Sequence, residues 1–193
     1  MRAIGYKSAK PVTEADALLD LEVPMPQAKG LDLLVEVKAV SVNPVDTKVR
    51  RNQAPENGEA RILGFDAAGI VKSVGEGVSL FKPGDEVFYA GAIDRPGSNS
   101  EYHLVDERIV GKKPKSLSFE EAAALPLTAI TAYEALFDRL NVRQTVPDAA
   151  NAIVIIGGAG GVGSIAIQLA RQLTDLVVIA TASRPETKEW ATK

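Results

Sequence analysis

The chain has 193 residues, 46% hydrophobic and 24% charged, with a formal net charge of −3, an ordinary globular composition with length for one large domain or two small ones. That balance gives no electrostatic footprint for nucleic acid and no attraction to an anionic membrane surface. Cysteine is absent, which excludes disulfides and thiolate zinc sites. The opening MRAIGYKSAK has no apolar signal region and no run long enough to span a membrane, so a cytoplasmic protein is expected.

The first elements alternate with a period of two. RAIGYK and LLDLEV read as short strands, and LLVEVKAVSV from Leu33 sets Val35, Val37 and Ala39 on one face against Glu36 and Lys38 on the other. AAGIVKSV, DEVFYA and EYHLVD continue the pattern, separated by Gly75-Glu76-Gly77, Pro83-Gly84-Asp85 and Pro96-Gly97-Ser98. Residues 1–115 are therefore expected to form a small antiparallel barrel or sandwich.

The period changes after Lys115. Ser118 and Glu121 make an S-x-x-E capping box that predicts a helix start. Pro126 interrupts that helix, and Ile130, Tyr133, Phe137 and Leu140 predict a second, amphipathic one. The strand-like Ala152 to Ile156 then enters a glycine knot. Gly158, Gly160 and Gly163 satisfy G-x-G-x-x-G, followed by Val162, Ile165, Ala166, Leu169 and Leu173 at helical spacing and a second strand, LVVIA, at 176–180. Strand, turn, helix and strand together make a βαβ unit built for a dinucleotide. The first glycine is expected to make the tight turn, the second to admit a pyrophosphate to the main chain, and the third to let helix and strand pack closely. The amides of 158–163 (Gly158, Ala159, Gly160, Gly161, Val162 and Gly163) would hold the phosphates.

An NAD site usually ends its second strand with a carboxylate for the ribose hydroxyl. Here that stretch offers Ala182, Ser183 and Arg184, with Lys188 one turn further. A hydroxyl and cations suit a ribose phosphate, so NADP(H) is expected, unless Arg184 and Lys188 only decorate a solvated helix start. Asp175 precedes the strand and reads as a turn residue.

The segments AVSVNPVDTKVR, LGFDAAGIVKSVGEGVSLFKPGDEVF, EEAAALPLTAITAYEAL and GGAGGVGSIAIQLAR, in that order, resemble the medium-chain dehydrogenase/reductase superfamily, in its quinone-oxidoreductase-like and zinc-type alcohol-dehydrogenase-like branch. The resemblance implies a GroES-like β-rich catalytic domain over 1–115, then linking helices and the first βαβ of a Rossmann domain over 116–193, with substrate in the cleft between the domains. Zinc-dependent members carry cysteine, histidine and cysteine where this chain has Asn43, Phe65 and Leu127, and a proton-relaying hydroxyl where it has Val45. Zinc is therefore not expected, and neither is alcohol oxidation, which relies on a metal to acidify the hydroxyl.

A quinone or conjugated enone already has an electron-poor carbon. Holding nicotinamide against it can account for about 7–11 kcal/mol of the barrier through orientation alone. By the resemblance, Asn43 would hydrogen-bond substrate or nicotinamide ribose and Thr131 would contact the nicotinamide. Asp46 would orient Asn43 or a water, or else serve as a helix-start carboxylate. Phe65 and Tyr89 would line an apolar wall or be plain core, Asp66, matching the acidic residue of the family's G-H-E-like segment, would be a buried carboxylate that is structural or supports a site residue from behind, His103 reads as structural, and Trp190 reads as core at the start of a helix. A doubly wound sheet has about six strands, so the chain reads as a truncated member, with strand 176–180 lacking a neighbour. The expected activity is NADPH-dependent reduction of small quinones or enones, with a homodimer compatible with a longer form; the alternative is a non-catalytic nucleotide-binding or interaction module.

Overall fold

Alternation of apolar and polar residues makes the beginning of the chain a β structure, and a computed structural model describes how its strands assemble over residues 1–55, 58–144 and 146–192. The chain divides into two compact units, Met1–Leu127 and Thr128–Lys193.

In the first unit the described strands form two antiparallel sheets. One has the order β2-β1-β4, from β1 (Arg2–Tyr6), β2 (Leu19–Glu22) and β4 (Arg61–Ile62). The other has the order β7-β3-β5-β6-β8, from β3 (Asp32–Ser41), β5 (Asp66–Val74), β6 (Glu86–Ala90), β7 (Tyr102–Asp106) and β8 (Val110–Lys112). β7 and β8 are its open edges, so it is a sheet and not a closed barrel. The period of two in β3 sends Leu33 and Val35 into a core with Ala67, Val71, Val87, Tyr89 and Val105. Full burial of each large apolar side chain there contributes about 1.5–3 kcal/mol. β4 and β8, with two and three residues, are too short to show a period and escaped the sequence reading.

A nine-residue helix, α1 (Pro44–Asn52), follows β3. Its signal was present: Asn43 at the cap, proline at the first helical position and an aspartate in the first turn. The Ser118 box forms as expected, with Glu121 N–H donating to Ser118 Oγ at 3.2 Å and the Glu121 carboxylate accepting from Ser118 N–H at 2.8 Å. It starts α2 (Phe119–Ala123), whose Ala122 and Ala123 pack on Ala68. Pro126 then opens α3 (Pro126–Tyr133).

In the second unit α3 runs on into a π-helical stretch, Glu134–Arg139. The expected stripe of Ile130, Tyr133, Phe137 and Leu140 is corrected here. Only Phe137 of the four is buried, and it packs with Ala132 and Leu136 in a core completed by Ile155, Ala166 and Ala170. Two interleaved apolar stripes run along this helix; small Ala132 brings its own stripe closest to neighbours, and the widened π turn shifts the phase beyond Tyr133. β9 (Ala152–Ile155) and β10 (Val177–Ala180) pair in parallel on either side of α4 (Gly161–Leu173) in the chain, so the βαβ unit is present. Ile155 and Val178 pack with α4, while Val154, Val177 and Ile179 are exposed. Trp190 lies late in α5 (Pro185–Thr192), and it is 60% exposed instead of joining the core. Its indole N–H donates to Ser164 Oγ at 2.8 Å.

Candidate functional site

The glycine turn sits between β9 and α4. Its left-handed residue is Gly157, at φ +70°, one place before the motif, and Gly160 N–H donates to Gly157 O at 2.9 Å, so Gly158 lies within the tight turn. Gly158 also serves packing: a Cβ there would lie 2.8 Å from Ala180 Cβ and 3.0 Å from Ile167 Cδ1. Gly163 has the role expected of the third glycine. A Cβ on it would collide with the Gly157 carbonyl oxygen and lie 2.9 Å from Gly158 Cα. Gly160 is the helix cap, with extended backbone and no side-chain cap bond, and a Cβ there would meet only Gly157 O, at 3.3 Å. The start of α4 is thus bare, exposed at Gly160, Gly161 and Val162, and its first-turn N–H groups have no partner within the helix.

Thr181, which the sequence reading passed over, locks this turn to β10. Its hydroxyl accepts from Gly157 N–H at 3.0 Å and its carbonyl from Gly158 N–H at 2.9 Å. Ser164 Oγ, the acceptor of the Trp190 indole, donates to Gly158 O at 3.3 Å. Thr128 approaches the turn as well, since a Cβ on Gly161 would lie 3.2 Å from its Cγ2; Thr131 follows one helical turn later, on the exposed side of α3. Past β10, Ser183 and Arg184 are exposed, and Arg184 pairs with Glu186 at 3.3 Å. Lys188 lines a hollow with Val178, Ala180 and Ala182. This bare turn, with hydroxyls and cations at the end of β10, fits a dinucleotide.

In the first unit Asn43 caps α1 and is 5% exposed, Asp46 is 4% exposed and Asp66 is fully buried. Asp46 accepts from Asn43 N–H at 2.7 Å. Asp66 accepts from Asn43 Nδ2 at 2.8 Å and from Leu127 N–H at 2.9 Å. Burial pushes the Asp46 carboxyl upward, opposed by the N–H groups of Asn43 and Gly64. Burial likewise raises Asp66 to about 6 against its two hydrogen bonds, with the charge of Asp46 adding to the rise. Phe65 and Tyr89 do not share one wall. Phe65 packs with Tyr6, Val49, Leu63, Val45 and Leu127, whereas Tyr89 belongs to the sheet core. Tyr89 stacks on His103, with ring centroids 5.5 Å apart, and its hydroxyl lies 3.1 Å from His103 Nδ1. His103 Nε2 is 2.9 Å from the Pro96 carbonyl, an acceptor that requires the proton on that nitrogen. Burial lowers this imidazole to about 4, so it is a neutral structural bridge.

Residues 29–115 match the alcohol dehydrogenase GroES-like domain. A zinc-type alcohol dehydrogenase-like protein of Staphylococcus epidermidis is 45% identical over 192 residues, covering 99% of this chain and 56% of its own length. The chloroplastic NADPH-dependent alkenal/one oxidoreductase of Arabidopsis thaliana is 37% identical, over 89% of this chain and 45% of its own. Among solved structures, a Rhizobium etli protein carrying a zinc-dependent alcohol dehydrogenase label is 66% identical with a TM-score of 0.96, over 100% of this chain and 56% of that one. The quinone oxidoreductase of Coxiella burnetii is 32% identical with a TM-score of 0.82, over 98% and 60%. These matches support the medium-chain dehydrogenase/reductase superfamily for this chain. It spans about half the length of the curated relatives it matches.

Likeness to this family raises the question of a metal. At the three positions where its zinc-dependent members carry ligands, Phe65 is buried in an apolar cluster, the half-buried Leu127 packs against it, and the Asn43 amide nitrogen bonds to Asp66. These side chains do not fit a zinc ion. Among the described residues no three His, Cys, Asp or Glu side chains gather as a metal-binding group, and no helix is long and apolar enough to cross a membrane.

Proposed function

We propose that this chain is the substrate-domain and nucleotide-entry portion of an NADPH-dependent reductase of quinones or conjugated carbonyls, working by hydride transfer without catalytic zinc. The observation that carries the reading is the bare start of α4, where Gly163 allows only a hydrogen and Gly160 stands open. The main-chain amides from Gly158 to Gly163 would hold the pyrophosphate. Ser183, Arg184 and Lys188 would receive a ribose phosphate, Thr131 would contact the nicotinamide, and Asn43 would hydrogen-bond substrate or nicotinamide ribose. Asp46, bonded to the Asn43 backbone, would fix that residue in place. Bound there, the reduced nicotinamide supplies the hydride. The names of the Arabidopsis and Coxiella relatives support the enone and quinone classes.

Titration of the chain with NADPH and NADH, followed through Trp190 emission, tests the cofactor. Tighter binding of NADPH is expected, and a preference for NADH overturns the ribose-phosphate assignment. Loss of NADPH absorbance on adding a simple quinone or enone tests the reaction. Binding without turnover favours a nucleotide-binding module instead.

A further inference from the structure

Asp66 opens β5, is fully buried, and has both carboxylate oxygens engaged by donors distant in the chain. Oδ2 accepts from the Asn43 side-chain amide, 23 residues back, and Oδ1 from the Leu127 N–H, 61 residues on. The second donor is one of the orphan amides in the first turn of α3. An ionised carboxylate accepts and never donates, so the Asn43 amide has one allowed sense, nitrogen toward Asp66.

We propose that Asp66 is a positioning residue: its two oxygens pin the α1 cap and the first turn of α3 to the head of β5, and thereby hold Asn43 in a single orientation. This rests on the reading of Asn43 as a site residue. Hydrogen bonds to a buried charge are stronger than neutral ones, and an unpaired partner is costly. The arrangement therefore has a signature that simple packing lacks. Exchanging the two side chains, Asn43→Asp with Asp66→Asn, reverses the polarity of the bond yet remakes all of it. The carboxamide introduced at position 66 donates to the carboxylate introduced at 43 and still accepts from Leu127 N–H. Aspartate is also as good a helix cap as asparagine.

The experiment is a double-mutant cycle in the full chain at about pH 8, where the carboxylates are ionised, read by urea unfolding. Asn43→Asp alone faces two buried carboxylates and should lower the folding constant about 100-fold or more. Asp66→Asn alone should lower it about tenfold. The exchange should be at least about tenfold more stable than the product of the single losses. Where Asn43→Asp alone does not fold, recovery of folded protein in the exchange is the same result. Losses that simply multiply, or an exchange that fails to fold although Asp66→Asn folds, overturn the proposal. NADPH-linked turnover separates the underlying reading: the exchange should regain stability without regaining activity, because it puts a charge where the reading puts an amide. Full activity in a stable exchange, or in Asn43→Ser, sinks the role of Asn43 and leaves the pinning of the two segments by Asp66 standing.

Discussion

Alanine at Gly163 and at Gly160 should have opposite consequences, although the two glycines belong to one motif. At Gly163 the new methyl strikes the Gly157 carbonyl and stands 2.9 Å from Gly158 Cα. Both are backbone atoms, so relief requires the turn to move off the helix. Overpacking of that kind costs about 1–3 kcal/mol, and the better helix propensity of alanine returns up to about 1 kcal/mol. The net expectation is a loss of about 1–2 kcal/mol, or roughly 2–4 °C in Tm for each kcal/mol. At Gly160 the methyl meets only one oxygen, at 3.3 Å, and alanine is a slightly poorer cap, so stability should fall by less than about 1 kcal/mol. Its methyl instead occupies the approach to the α4 amides. NADPH affinity should drop at least about tenfold, or 1.4 kcal/mol. Thermal unfolding by circular dichroism and a Trp190 fluorescence titration give both quantities. Undiminished NADPH affinity in Gly160→Ala, together with parental stability in Gly163→Ala, refutes the assignment of the turn.

Further expectations concern charge. His103 is neutral when folded, at about 4, against about 6.5 unfolded; the unfolded chain takes up the proton first, so about 3 kcal/mol of stability is lost as pH falls from 6.5 to 4. Asp66 has the opposite sign, because its folded value of about 6 lies above the unfolded one, and its contribution is lost as pH rises through 6. Urea midpoints across this window should therefore fall with rising pH in His103→Gln, rise in Asp66→Asn, and vary least in the parent; a parental slope in His103→Gln refutes the buried-imidazole argument. Glu107 is 3% exposed and accepts from the N–H groups of Ser79 and Leu80, so Glu107→Ala should cost about 1–3 kcal/mol of unfolding free energy by removing hydrogen bonds to a charged acceptor. Ser183→Asp with Arg184→Ala should shift nucleotide preference toward NADH, as measured by paired titrations, whereas an unchanged ratio removes these residues from the ribose site.

The elements that carry a period or a cap were legible in the residues. β3 announces itself by alternation, α2 by Ser118 and Glu121, and the βαβ unit by a greasy run entering glycines. The misreadings have local causes. The positive φ falls on Gly157, one place before the glycine motif, where no letter pattern marks it. The face of α3 was ambiguous because two apolar stripes overlap, and a π turn then broke the assumed 3.6 period. Trp190 reads as core, yet it is 60% exposed and its indole N–H finds an acceptor at Ser164. The Asp66 network had no local sequence signal; the family resemblance alone marked Asp66 as buried and grouped Asn43 with Leu127. Its donors lie 23 and 61 residues away, and only the folded chain brings them together.

The sealing of His103 has a practical corollary. It is the only imidazole in the protein and is 4% exposed, held between Tyr89 and Pro96. The native molecule offers no accessible histidine to nickel resin or to acylating reagents selective for that ring. Carbethoxylation should proceed only as fast as β7 opens, making the reagent a clock for local unfolding at one edge of the sheet.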